Sequence, residues 1–161
     1  MTEHYRYTLH RSLLSGDGRR ICWIMLNPST ADEGINDRTI TRCIGFTSRW
    51  GYSGLIVINL CALRSTNPLG LRSAKDPIEP ENDCHIQFAL LAAGANDWPV
   101  IAAWGMHGSP SRVSAVASLA NAVGVGMQCL GVTRSGQPRH PLYVPYRTQL
   151  RPWDQDQQAV V

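Results

Sequence analysis

Apolar positions in this chain fall into short unbroken runs, separated by stretches in which they recur at helical spacing. Ile21-Cys22-Trp23-Ile24-Met25-Leu26 is continuous and stops at Asn27-Pro28. Runs of this kind suit strands buried on both faces. Leu55-Ile56-Val57-Ile58, closed by Asn59, repeats the signal, as do Val100-Ile101-Ala102-Ala103 and the shorter Met127-Gln128-Cys129-Leu130. Between the first two runs, Ile40, Cys43, Ile44 and Phe46 stand near helical spacing, with Asp37 as N-cap and Gly51 as stop. Ile86, Ala89, Leu90 and Ala93 predict a second helix, over about 81–93. Val113, Val116, Leu119 and Ala120 predict a third, over about 111–122. Ahead of all these, Tyr5, Tyr7 and Leu9 alternate with Arg6 and Thr8 and lead to Gly16-Asp17-Gly18, which predicts an N-terminal β-hairpin. The polar tail after about residue 148 reads as peripheral.

Strands alternating with helices predict an α/β domain, a three-layer αβα sandwich around a short, mostly parallel four-stranded sheet. Ligands of such sheets collect beyond the carboxyl ends of the strands. Polar residues stand at each predicted strand end. The first run is followed by Asn27-Pro28-Ser29 and Asp32, the second by Asn59 and Arg64. The third is followed by Trp104-Gly105, and the fourth by a loop holding Arg134, Arg139 and His140. Each group also has a plainer reading. Asn27-Pro28-Ser29 reads equally as an Asx turn, Asn59 as a satisfied buried amide, Trp104-Gly105 as packing beside a tight turn, and His140 as a surface-loop residue. Their convergence on one edge is what favours a site. Ser29 lacks the G-x-S-x-G setting of a nucleophile, and neither G-x-G-x-x-G nor a P-loop is present.

Composition narrows the class. The 161 residues fit one domain spanning 1–161. Apolar residues make up 43% and charged residues 17%, which argues against disorder. No apolar stretch approaches the length of a membrane span, and Met1-Thr2-Glu3-His4 lacks the order of a signal peptide. The five cysteines have no metal-ligand spacing and sit mostly among apolar neighbours, as small buried hydrophobes do in a reducing compartment. The expectation is a soluble, cytoplasmic, monomeric protein without metal or cofactor. Net charge is only +3, yet Lys75 is the single lysine beside fourteen arginines. A high-GC genome gives the same bias; alternatively, the planar guanidinium grips phosphates.

In their order along the chain these motifs resemble an uncharacterised bacterial and phage family, domain-of-unknown-function family sixteen-forty-three. Its signature appears as Asn27-Pro28-Ser29-Thr30-Ala31-Asp32, Arg49-Trp50-Gly51-Tyr52, Pro80-Glu81-Asn82-Asp83, Ala103-Trp104-Gly105 and Arg139-His140-Pro141-Leu142. A more distant resemblance is to the uracil-DNA glycosylase superfamily, three-layer α/β enzymes with their site at the strand ends. That resemblance implies that Asn27, in Leu26-Asn27-Pro28-Ser29, positions a water, and that Asn59 reads a base edge. It implies further that Trp104-Gly105 is structural beside the base, and that His140 stabilises the departing base. Pro28 and Ser29 would form the base-binding loop. Ser29 replaces the tyrosine of some members, which leaves room for a bulkier pyrimidine; no motif places the stacking ring, and Phe46, the candidate for it, reads first as core packing.

Cleavage of an N-glycosidic bond requires stabilisation of a cationic sugar and an anionic base, and a placed water. A base in DNA must also be flipped out and read. Asp32 would lend negative charge to the sugar, and Arg64, Arg134 and Arg139 would hold phosphates. The expected function is therefore a DNA glycosylase acting on uracil or a modified pyrimidine, with duplex or single-stranded DNA as partner. The alternatives are a non-catalytic nucleic-acid-binding module and an enzyme of free nucleosides or nucleotides.

Overall fold

The structure, a computed structural model, describes residues 4–158. Residues 1–3, which carry most of the signal-peptide reading, and residues 159–161, at the end of the tail, lie outside them. The predicted runs are strands β2 (Arg20–Met25), β3 (Gly54–Asn59), β4 (Val100–Ala102) and β5 (Met127–Cys129). All four are parallel, in the order β3-β2-β4-β5. Their carboxyl ends lie level, since Met25 pairs with Asn59, Ile24 with Ala102 and Ala102 with Cys129.

Alternation within these strands splits the core in two. Ile21, Trp23, Met25, Leu55, Val57 and Ile101 face helix α1 (Arg38–Arg49) through Ile40, Cys43 and Phe46. Cys22, Ile24, Ile56, Ile58, Val100 and Ala102 face the opposite way. That second face is covered by α3 (Asn82–Ala95) and α4 (Pro110–Ala122), with a one-turn helix α2 (Gly70–Ser73) in the preceding loop. The chain moves from β2 to β3 under α1, then returns past β2 to β4 and on to β5 through the helices of the other face. Reversing direction and face together keeps one crossover hand. It also opens a crevice between β2 and β4 at the strand ends.

Local signals account for these elements. Asp37 Oδ1 accepts from Ile40 N at 2.8 Å and caps α1, and Gly51 follows the helix with φ +82°. Trp23 is fully buried and donates to Thr47 Oγ1 at 3.1 Å. Four of the five cysteines are buried, Cys84 being exposed, and all are free thiols. Burial pushes the Cys22 thiol up to about 12.

Two differences from expectation lie at the sheet edges, which make it six-stranded. β1 (Thr8–Ser12) pairs antiparallel with β3, not with β2, so there is no hairpin. Both edges of β2 are taken by parallel neighbours, which leaves β3 as the available edge. The intervening turn wraps the start of β3 instead, with Leu13 N donating to Ser53 O at 2.8 Å and Asp17 N to Gly51 O at 2.9 Å. A Cβ on Gly16 (φ +126°) would come within 2.5 Å of the Tyr52 backbone, so only glycine fits there. The second difference is β6 (Arg151–Trp153), which pairs antiparallel with β5 and turns the polar tail into an edge strand. Trp153 is the cause: it is buried, meets Trp104 edge-on at 5.0 Å and donates to Gly136 O at 3.3 Å. A last short turn, α5 (Gln155–Gln158), follows.

Candidate active site

A cavity of about 710 Å³ opens above the level ends of the parallel strands. Its size suits a small organic ligand. Its walls include Asn27, Ser29, Asn59, Trp104, Gly105, Arg139 and His140. Four loops separated widely in sequence thus deliver seven of the residues singled out from sequence to one place. Pro28, Asp32, Arg64 and Arg134 are not among the lining residues.

Asn27 is held from one side. Its Nδ2 donates to Pro28 O (2.9 Å), Ser65 O (2.9 Å) and Leu63 O (3.3 Å), tying the loop after β2 to the loop after β3. The donor end is thereby spent, and Oδ1 is the part of the carboxamide left to accept a hydrogen bond. Asn59 is the reverse case. It is 2% exposed, and its buried Nδ2 has no protein partner. A buried amide without a partner is costly unless something else supplies an acceptor.

The backbone around Asn59 is by contrast firmly anchored. Asn82 Nδ2 donates to Asn59 O at 3.1 Å and to Leu60 O at 3.3 Å. Arg112 Nε donates to Leu60 O at 2.5 Å, and its NH2 group pairs with Asp83 Oδ1 at 2.5 Å. The Pro80-Glu81-Asn82-Asp83 motif is therefore a clamp on the end of β3.

His140 begins the 3-10 turn Pro141–Tyr143 and caps it, its Nδ1 accepting from Leu142 N at 3.2 Å. That bond places the proton of the neutral ring on Nε2. Burial lowers the imidazole to about 4, against the opposing charge of Asp37, so the ring is neutral near pH 7. The loop carrying it is built from within: Thr133 N donates to Gln137 O at 2.8 Å and Arg139 N to Gly131 O at 2.9 Å. It docks on the strand ends where Gly105 N donates to Pro138 O (2.9 Å) and Trp104 Nε1 to Gln137 Oε1 (2.9 Å). Gly105 has φ +74°, and a Cβ there would lie 3.5 Å from that of His140. Arg42 of α1 clamps the following turn through Pro141 O (3.1 Å) and Val144 O, while its guanidinium lies over Tyr146.

The remaining sequence candidates sit elsewhere. The Asp32 carboxylate folds back on its own loop, accepting from Gly34 N and Ile35 N, each at 2.9 Å. Asp37, read from sequence only as a cap, is the carboxylate that lines the cavity. Arg64 is half-buried beside the cavity with its Nε unpartnered, and Arg134 is exposed in the Thr133–Gly136 turn. Arg139 is exposed at the wall and donates to Tyr143 O at 3.2 Å. Phe46 is fully buried in the α1 core, so it stacks on no ligand. Sequence reading missed Arg6, which lines the cavity while 2% exposed. It also missed the exposed Met106 and Tyr143 at the wall.

Among the described residues, no three His, Cys, Asp or Glu side chains stand together as metal ligands, and no helix is long and apolar enough to cross a membrane. No curated protein and no solved structure matches the chain. A family model does match, across residues 6–142, which takes in every lining residue but Tyr143. The chain belongs to the family described as Protein of unknown function (DUF1643).

Proposed function

We propose that this cavity hydrolyses the N-glycosidic bond of uracil or a modified pyrimidine in DNA. The observation that carries the reading is the convergence of Asn27, Asn59 and His140 on one cavity, each with a hydrogen-bonding group the protein leaves unused. Those are the positions that the resemblance to uracil-DNA glycosylases assigns to water placement, base reading and leaving-group stabilisation.

The chemistry follows from the groups. The C1′–N1 bond breaks, and its electron pair leaves with the base and spreads onto the ring oxygens. Nε2–H of a neutral His140 donates to that developing charge without giving up its proton. Asn59 offers a donor and an acceptor to a pyrimidine edge. A water held by Asn27 Oδ1 adds to C1′. The carboxamide is no base, so the water's proton passes to the departed base anion, giving neutral base and an abasic sugar. Asp37, whose charge also reaches His140, takes the electrostatic role expected of Asp32 by favouring the cationic sugar. Met106 and Tyr143, exposed at the cavity wall, supply apolar surface against a displaced nucleotide, and Arg139 stands among them for its phosphates.

Base release from duplexes carrying uracil and a panel of 5-substituted pyrimidines tests the proposal. The expected result is release of at least one base, abolished in Asn27→Ala and His140→Ala. Salt-dependent DNA binding without release would favour a non-catalytic module instead.

A further inference from the structure

Arg6 is among the least exposed charged side chains in the protein, at 2%, and lines the cavity. The ion pairs among the described residues are Arg19 with Asp17 and Asp97, and Arg112 with Asp83; Arg6 is in none of them. Its guanidinium donates to Ala31 O, and its buried Nε has no partner. Arg112, buried to a similar degree, shows what a structural arginine here looks like, with both a carbonyl and a carboxylate in hand.

The surroundings of Arg6 increase its need for an anion. A second arginine, Arg64, lies close enough that its charge, after burial itself, lowers Arg6 to about 10, and it too has a buried unpartnered Nε. Asp37 is the opposing charge that reaches Arg6 most strongly. Its oxygens already accept from Ile40 N (2.8 Å) and Ala31 N (3.4 Å). The amino-terminal turn of α1 reaches the same cavity through Thr39 and Ile40, with the Asp37 carboxylate already capping it. Ser29 and Thr66 bring further hydroxyls to the lining, whereas that of Ser65 is spent on Asn67 O at 2.8 Å. A buried charge beside a second, half-buried like charge is unfavourable unless an anion joins them.

We infer that the Arg6 wall of the cavity is an oxyanion subsite, in which Arg6 and neighbouring hydroxyls anchor a phosphate or carboxylate carried by the ligand. The inference rests on the reading of this cavity as a nucleotide or base site, and it restricts the substrate class. The ligand is either a nucleotide whose phosphate enters the cavity or a pyrimidine bearing an acidic ring substituent. Bidentate recognition of either group is what a guanidinium provides.

Matched ligand pairs test this on the wild-type protein. Binding of thymidine 5′-monophosphate is compared with thymidine, and of 5-carboxyuracil with uracil, by calorimetric titration. A charge-assisted contact predicts that the charged member of one pair binds about tenfold or more tightly than its neutral partner. The pair that shows the preference identifies the source of the anion. The preference is expected to vanish in Arg6→Gln and to survive in part in Arg6→Lys. Equal binding within both pairs by the wild-type protein overturns the inference, whether or not any variant folds. So does a preference that persists in Arg6→Gln but is lost in Arg139→Gln. Base release is a separate readout: charge preference without release moves the substrate to free nucleotides, whereas release without charge preference overturns only the oxyanion subsite.

Discussion

Two buried arginines lie on either side of the Asn59 strand end and are treated in opposite ways. Arg112 reaches from α4 to the backbone of Leu60 and to Asp83, so its charge and its donors are met within the protein. Arg6 reaches from the other side into the cavity, its guanidinium held by one backbone carbonyl, that of Ala31, with no carboxylate in contact and a like charge nearby. The donor ends of two amides repeat the contrast: Nδ2 of Asn82 donates twice to the chain, although its buried Oδ1 is unpartnered, whereas Nδ2 of Asn59 has no acceptor. Polar groups that satisfy one another hold a fold together, and polar groups left unsatisfied in a cavity mark what it is built to receive. On the proposed reading, the Arg112 side is the frame and the Arg6 side is the site.

That division is open to attack from both ends. The largest effect is expected at the site. His140→Ala should slow base release by about 10²–10³-fold, the usual loss when one preorganised donor to a developing anion is removed. Its melting temperature should change little, and a collapse of folding on the same substitution would move His140 into the frame. Next is the frame itself. Arg112→Ala removes two charge-assisted hydrogen bonds and should cost roughly 2–3 kcal/mol in urea unfolding, toward the lower end because Asp83, 48% exposed, can be hydrated. Arg6→Met should cost less than about 1 kcal/mol in the same experiment, since the bond lost to Ala31 O is offset by removal of a buried, unpaired charge. Equal destabilisation by the two arginine changes would erase the contrast.

A further effect is a pH slope. Burial holds the folded His140 at about 4, below its ordinary value of 6.5. Between those values the unfolded chain binds the proton that the folded one refuses, so stability is full above pH 6.5 and declines as the pH falls toward 4. His10, also lowered by burial, tilts the curve the same way. Unfolding curves at pH 7 and pH 5 should converge in His140→Ala relative to wild type. Base release should meanwhile stay flat from pH 7 to 5, because the donor remains neutral.

How much of this could be read beforehand depends on whether the cause is local. Strands buried on both faces must be continuously apolar, so β2, β3 and β4 were readable, as was α1 with its Asp37 cap. The parallel order brought Asn27, Asn59, Trp104 and His140 to one edge, as alternating strands and helices imply. Edge pairing is decided by contacts distant in sequence. Nothing in Tyr5–Ser12 names β3 as partner, and Trp153 was the sole sign that the tail joins the sheet. Alternation placed Arg6 with Thr8 on the polar side. The ladder is interrupted between the Thr8–Ile58 pair and the isolated Tyr5–Leu63 bridge, and Arg6 turns inward there. Asp32 is the acid that the sequence singles out and Asp37 only a helix cap, because the turn geometry that puts Asp37 and not Asp32 at the cavity is not written in the local sequence.

The most direct measurement is release of free base from duplexes containing uracil or 5-substituted pyrimidines, followed chromatographically for wild type, Asn27→Ala, Asn59→Ala and His140→Ala under one set of conditions. The prediction is that wild type liberates at least one of these bases and that each substitution suppresses its release while the protein stays folded. No release of any base by the wild-type protein, or equal release by all four proteins, would contradict the assignment of the cavity to glycosidic-bond chemistry.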